Sequence, residues 1–323
     1  MFEDIKKIIV KDDYPEPTSG PDDVIVKVHY CGICGSDLTN FKYKMYQVPL
    51  VMGHEFSGEI VKIGENIIDF KIGDIVCGIN VSLDLAGGGQ LDGLGIFRDG
   101  GFAEYVKVPK KYLFKIPDNV SIKEAALIES FANATRGAKL SNIGENQNIM
   151  ILGGGNIGLC FMNYLLAEKN PNYMVVIEPH SFLREKAKEM GATDAIPPNK
   201  IKIKKFLKEY GPPTFIFDCA GFESTINMAI DLIKKGGTII LVGVHKGTVS
   251  LPMFLLNSKE ACLRGILGHD VEDIHASINF FAKRKVDVNK LISEIIPLDD
   301  IQRGFEKYLE PGEREFIKIL VKL

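Results

Sequence analysis

The chain has 323 residues, 46% hydrophobic and 25% charged, with a formal net charge of -3. That length suggests two domains of ordinary size, and the charge leaves no basic footprint for nucleic acid or an anionic membrane. No apolar run approaches the roughly 18 residues that span a bilayer. The first residues are charged throughout rather than signal-like, so a cytoplasmic location is expected. The six cysteines are scattered in a chain too long for a disulfide-framed fold, and Cys160, Cys219 and Cys262 read as buried free thiols.

Residues 24–30 (Val-Ile-Val-Lys-Val-His-Tyr) alternate apolar and polar side chains, which predicts a half-buried strand. Residues 56–64, 71–78 and 102–108 follow as short strands between Gly- and Asn-rich turns, a pattern that suggests a small barrel. Residues 38–48 read as a loop. Residues 77–101, with eight glycines, read as a long loop or lobe. Ser121-Ile-Lys-Glu124 is a capping box that opens a helix through Leu127. A strand at 148–152 then runs into Gly153-Gly154-Gly155-Asn156-Ile157-Gly158, followed by a helix at 157–169 and a strand at 173–177, which make one βαβ unit. A helix at 182–190 stops at Gly191. Strands at 214–219 and 238–242 extend the sheet around a helix at 223–235. Helices at 274–284 and 298–309 precede a last strand, 316–321, expected to return to the first domain.

Two motifs carry chemistry. Cys31-Gly-Ile-Cys34-Gly-Ser36-Asp37 and Gly53-His54-Glu55 supply a thiolate, an imidazole and carboxylates, a donor set for Zn²⁺. A catalytic zinc takes three protein ligands and keeps one open position. Cys34 and His54 are two of the three. Glu55 and Glu129 are both candidates for the third, and the sequence does not choose between them. Held by a thiolate and one carboxylate, the metal can polarise an alcohol oxygen. Asp37 suits the other ring nitrogen of a ligating histidine. Cys31 falls within the alternating strand and is expected to pack. A thioredoxin-type redox pair is disfavoured because Cys34 precedes a Gly-Ser-Asp loop and not a helix start.

Gly153, Gly155, Asn156, Ile157 and Gly158 form a dinucleotide-binding turn, with a strand before it and a helix after it. Glu178 ends the next strand, twenty positions after Gly158, where a carboxylate accepts from ribose hydroxyls and repels a 2′-phosphate. NAD is therefore expected over NADP. Val242, closing the strand at 238–242, is a further cofactor candidate. That strand and residues 263–267 would leave an apolar sheet edge, which suggests a homodimer or homotetramer.

At these residues the chain resembles the zinc-dependent medium-chain alcohol dehydrogenases of the sorbitol, polyol and threonine type. The likeness runs through Cys34-Gly-Ser36-Asp37, Gly53-His54-Glu55, Gly101-Phe-Ala-Glu-Tyr105, the 153–158 loop and Asp218-Cys-Ala-Gly221. It implies an α/β fold with a GroES-like β-barrel catalytic domain and a doubly wound Rossmann domain. The barrel domain would occupy 1–133, the NAD domain 134–266, and 267–323 would return to the first. It also implies Cys34 and His54 as zinc ligands, Glu129 as a sorbitol-type carboxylate, and Glu55 as the glutamate that follows the zinc histidine. Ser36 matches the hydroxyl that takes the substrate proton, and Lys318 a basic residue near the pyrophosphate.

Three departures stand out. The 77–101 stretch has one cysteine where many members hold four for a structural zinc, so a single catalytic zinc is expected. Thr39 replaces the usual relay histidine. The N-terminus lacks the usual opening strand. The resemblance implies hydride transfer from a secondary alcohol, a polyol or sugar, to NAD, with threonine or 2,3-butanediol as alternative substrates. A zinc-free quinone reductase and a non-catalytic binding protein on the same fold are the rival readings.

Overall fold

The computed structural model describes residues 1–79, 92–245 and 247–323. In chain order the elements are β1 (Phe2–Asp4), β2 (Lys7–Ile8), β3 (Asp23–Gly32), α1 (Gly35–Tyr43), β4 (Glu55–Ile63), β5 (Ile75–Gly78), β6 (Tyr105–Pro109), β7 (Leu113–Lys115), α2 (Ile122–Ala125) and α3 (Ile128–Ser141). They continue with β8 (Asn148–Leu152), α4 (Asn156–Lys169), β9 (Tyr173–Ile177), α5 (Ser181–Glu189), β10 (Asp194–Ile196), α6 (Lys200–Tyr210), β11 (Phe215–Asp218), α7 (Glu223–Leu232) and β12 (Thr238–Leu241). The last are α8 (Met253–Ser258), β13 (Cys262–Gly265), α9 (Val271–Ala282), β14 (Ile292–Pro297), α10 (Ile301–Lys307) and β15 (Lys318–Lys322). The chain divides into one unit of Met1–Glu129, Ser277–Gly312 and Lys318–Leu323, and a second of Ser130–Ala276 and Glu313–Ile317. Relative to the boundaries expected at 133 and 266, the second unit starts slightly earlier, ends later, and takes back a short strap near the C-terminus.

In the first unit, seven strands form a mixed sheet in the order β14-β15-β3-β4-β5-β7, with β6 also paired to β3. β14 and β15 are parallel, and β15 runs antiparallel to β3. The β3–β4 register sets Glu55 opposite Gly32. A Cβ on Gly32 would lie 2.6 Å from Lys318 Cε and 2.7 Å from Glu55 Oε2, so a glycine is required for those two side chains to meet there.

Three expectations are corrected, the first two in this unit and the third in the other. Residues 35–43 form helix α1, where a loop was expected. Cys34 is its N-cap, and the Cys34 N–H donates to Asp37 Oδ2 at 3.1 Å. Asp37 thus supplies the return arm of a cap whose first residue is not one of the usual capping types. The N-terminus does carry an opening ribbon, β1 against β2, held by fully buried Phe2 bridging Leu50. Cys262 is exposed and Cys219 half-buried, and only Cys160 of the three thiols expected inside is buried. Cys262 opens β13, an edge strand, which accounts for its exposure. Of the glycine-rich stretch, residues 80–91 lie outside the described residues.

The second unit holds a six-stranded parallel sheet, β10-β9-β8-β11-β12-β13. This is the order of a doubly wound dinucleotide fold, with β8 central and the chain reversing direction beside it. One face buries Met150, Val175, Ile216 and Ile239 against Ile203 and Phe206 of α6 and Ile226 and Ile230 of α7. Each such side chain contributes about 1.5–3 kcal/mol on burial. The ring of Phe161 on α4 lies tilted against Phe217 of β11, with centroids 5.2 Å apart, a spacing typical of aromatic pairs. No helix among the described residues is long and apolar enough to cross a membrane.

Candidate metal centre and dinucleotide loop

The first unit brings one ligand atom each from Cys34, His54 and Glu55 within 4.8 Å of one another, the one such group of three among the described residues. Cys34 arrives as the cap of α1, and Glu55 opens β4 directly after His54. His54 is 2% exposed and Glu55 1%. Ser36 Oγ lies 3.2 Å from His54 Nε2, and Asp37 Oδ1 lies 3.5 Å from His54 Nδ1. That second distance falls short of a formed hydrogen bond, and both atoms lack another partner.

Burial and the Glu55 carboxylate push the Cys34 thiol up, while His54 draws it down. Burial alone would lower the His54 imidazole, but Asp37 and Cys34 outweigh it and raise it well above its usual value. Burial raises the Glu55 carboxyl, Lys318 lowers it, and Glu129 raises it. Glu129 is therefore close to the centre and 8% exposed, but it stands outside the trio. Cys31 is buried, and burial, Asp37 and Glu55 lift its thiol well above the usual range, which leaves it inert.

The donor set fits a zinc ion. His54 Nδ1, Asp37 Oδ1 and Glu55 Oε1 are buried polar atoms without hydrogen-bond partners, and the first two face each other at 3.5 Å. Buried polar atoms are rarely left so; a cation would be held by Cys34, His54 and Glu55, with Asp37 set to orient the imidazole through its other ring nitrogen.

The resemblance placed Lys318 near the pyrophosphate; in the structure its side chain is engaged within the first unit. It is 1% exposed in β15, and its ammonium donates to Glu55 Oε2. Its charge therefore acts on the metal centre.

In the second unit, Gly153 adopts a φ of +96° after β8, and a Cβ on Gly158 would lie 1.9 Å from the Gly153 carbonyl oxygen. Gly155 caps α4 without a side chain, which leaves first-turn N–H groups for an anion. Asn156 Nδ2 donates to Ser130 Oγ at 3.0 Å, and Ile157 lies in the same first turn. Glu178 is 4% exposed, and accepts from Gly154 N at 2.7 Å and His180 N at 3.0 Å. Arg184 turns to the backbone instead, donating to the Glu178 carbonyl at 2.9 Å. Val242 follows β12 and donates its N–H to the Asp218 carbonyl at 2.9 Å.

A residue the motifs did not reveal stands beside the loop. Arg314 Nη1 lies 4.0 Å from where a Gly155 Cβ would be. Its guanidinium donates to the carbonyls of Phe316 (3.0 Å) and Ile317 (2.7 Å) and sits over the Phe316 ring. Its N–H donates to His180 Nδ1 at 3.1 Å. Nothing local in the sequence marks it, since Arg314 meets Gly155 only through the fold.

Comparison with known proteins shows the family. Residues 20–118 match the alcohol dehydrogenase GroES-like domain, and residues 157–283 match the zinc-binding dehydrogenase domain. The chain is 30% identical over 315 residues to L-threonine 3-dehydrogenase of Shewanella baltica (strain OS185), covering 91% of each. It superposes on 2R,3R-butanediol dehydrogenase from Bacillus subtilis with a TM-score of 0.90 at 27% identity, covering 100% of this chain and 98% of that one. A protein described as a zinc-binding dehydrogenase from Sinorhizobium meliloti 1021, bound to NADP, gives 0.89 at 29% identity, covering 99% and 97%. With a Cys-His-Glu centre in one unit, a glycine loop at the head of the parallel sheet in the other, and likeness along nearly its whole length, the chain belongs to the zinc-dependent medium-chain alcohol dehydrogenase family.

Proposed function

We propose that this enzyme oxidises a secondary alcohol, a polyol or sugar, by hydride transfer to NAD, using a single zinc held by Cys34, His54 and Glu55. The observation that carries this reading is the Cys34–His54–Glu55 trio, with buried partnerless atoms on His54 and Glu55, in a chain of a zinc-binding dehydrogenase family. Bound there, zinc supplies Lewis acidity that makes an alcohol proton easier to lose. Membership of the trio favours Glu55 over Glu129 as the third ligand. Ser36 is placed to accept the alcohol proton beside His54. Thr39 cannot carry that proton onward, because its hydroxyl donates to the Gly35 carbonyl at 3.0 Å, so the proton leaves by another route. Threonine and 2,3-butanediol, on which the named relatives act, remain the second reading. The test is NADH formation by zinc-loaded protein on polyols, aldoses, threonine and simple secondary alcohols, alongside metal analysis. Turnover with one zinc per chain is expected, and no turnover on any of them would refute the proposal.

The preference for NAD rests on Glu178, since one relative was solved with NADP. A 2′-phosphate brought against this buried carboxylate would be repelled. Glu178→Ser is expected to narrow the NAD-over-NADP ratio of kcat/KM by at least about tenfold, the effect of relieving roughly 1.4 kcal/mol. Arg314→Gln is expected to weaken both cofactors about equally, because it faces the loop that holds the phosphates common to them. Equal wild-type efficiency with NADP would overturn the Glu178 assignment.

A further inference from the structure

The parallel sheet ends in three adjoining turns, after β8, β11 and β12, and the third carries a histidine outside every motif of the sequence. A Cβ on Gly153 would lie 3.2 Å from Ala220 Cβ, and one on Gly221 would lie 2.9 Å from the Gly243 carbonyl carbon. The turns therefore meet through backbone and small side chains. Asp218, fully buried at the end of β11, ties two of them together. Its Oδ1 accepts from Ala220 N at 3.1 Å and Gly221 N at 3.2 Å, and its carbonyl accepts from Val242 N at 2.9 Å and Gly243 N at 2.8 Å. Its Oδ2 accepts from Thr225 Oγ1 at 2.9 Å and lies 3.4 Å from His245 Nε2.

The His245 side chain is 14% exposed, while its neighbour Val244 points out at 70%. His245 Nε2 is buried without a hydrogen-bond partner. A carboxylate facing that nitrogen favours the tautomer with the proton there, which leaves Nδ1 of the neutral ring as an acceptor. Among the described residues nothing bonds Nδ1, and unlike Nε2 it is not enclosed.

In a doubly wound sheet the dinucleotide crosses the carboxyl ends of the strands where the strand order reverses. Glu178 follows β9 on one side of the glycine loop, and β11 and β12 lie on the other. With one ribose at Glu178 and the pyrophosphate at the loop, the second riboside falls at the turns after β11 and β12. That half of the cofactor brings hydrogen-bond donors, its ribose hydroxyls and its carboxamide.

We propose that His245, tethered by Asp218, is a cofactor-binding residue whose Nδ1 accepts a hydrogen bond from the nicotinamide riboside. This rests on the dehydrogenase reading above and carries it to a side chain outside both the glycine loop and the metal centre.

The test is calorimetric titration of NADH and of ADP into wild type, His245→Phe and His245→Asn. ADP has the adenosine and the pyrophosphate but lacks the nicotinamide riboside. His245→Phe fills the space of the ring without an acceptor, and His245→Asn keeps an amide oxygen near the place of Nδ1. His245→Phe is expected to weaken NADH about tenfold and to leave ADP within about twofold of wild type. His245→Asn is expected to hold NADH within about threefold of wild type. A loss shared equally by NADH and ADP would mean a structural role and would overturn the proposal. So would an unchanged NADH affinity, or a His245→Asn no better than His245→Phe. Should His245→Phe not fold, His245→Gln is read in its place with the same expectations, since its longer amide reaches toward Asp218 and leaves no acceptor at Nδ1. Wild type that binds ADP and NADH equally would overturn the His245 contact alone. Wild type that binds neither would overturn the dinucleotide reading together with it.

Discussion

Cys34→Ala and His54→Ala are expected to lose turnover by at least about a thousandfold while still binding NAD. Lewis-acid assistance contributes several kcal/mol to such a reaction, and each 1.36 kcal/mol is a tenfold change in rate. Both side chains belong to the trio, whereas the glycine loop lies in the other compact unit of the chain. Metal content and NADH fluorescence titration therefore separate the two functions within one variant. Either variant, folded and binding NADH, that kept near-wild-type turnover would show that the centre is not the seat of the reaction.

The largest loss of stability is expected from Lys318→Met. Lys318 and Glu55 are each 1% exposed and bonded to each other. Removing one member of a buried pair strands the other, at a cost of about 3–5 kcal/mol. Burial already raises the Glu55 carboxyl and Lys318 draws it down, so without the lysine its folded-state pKa climbs further. A carboxyl with a raised folded pKa binds its proton more readily in the folded state, so stability recovers as pH falls through that value toward the unfolded one. The gap between wild type and variant should therefore shrink from pH 8 to pH 5. Denaturant unfolding of the metal-free proteins measures it. A gap below about 0.5 kcal/mol at pH 8 would contradict the assigned pairing. Adding Glu55→Gln to the variant should restore much of the loss, because no charge then stays buried.

Much of the site was legible in the sequence because its motifs are local. Cys34, His54 and the 153–158 loop each lie on a strand-to-turn transition that periodicity and glycines mark. The choice between Glu55 and Glu129 was not legible, since spacing does not say where adjacent side chains point. Helix α1 was missed because its cap is a cysteine and its buried residues, Asp37, Asn40 and Phe41, form no apolar stripe. Helix α6 buries only Ile203 and Phe206 between lysines, and three-residue β10 carries no period at all. Helix α3 was lost in a run of small residues, where Gly137 lets the Phe161 ring approach. Lys318 and Arg314 depend on contacts across most of the chain, which no local pattern encodes.

The position of β15 also bears on how the protein is made. The Tyr30–Gly32 end of β3 pairs with Leu320–Lys322 of β15, near the other end of the sequence. At about 5–20 residues per second, a ribosome would finish β3 roughly 15 to 60 s before β15 appears. Over that interval the strand leading into Cys34 keeps an open edge, of the kind on which nascent chains aggregate. The parallel sheet is built from contiguous sequence, so its strands wait for no distant partner once β13 has emerged. The lysine that neutralises Glu55 thus emerges 263 positions after it, so the ion pair at the metal centre forms long after Cys34, His54 and Glu55 have left the ribosome.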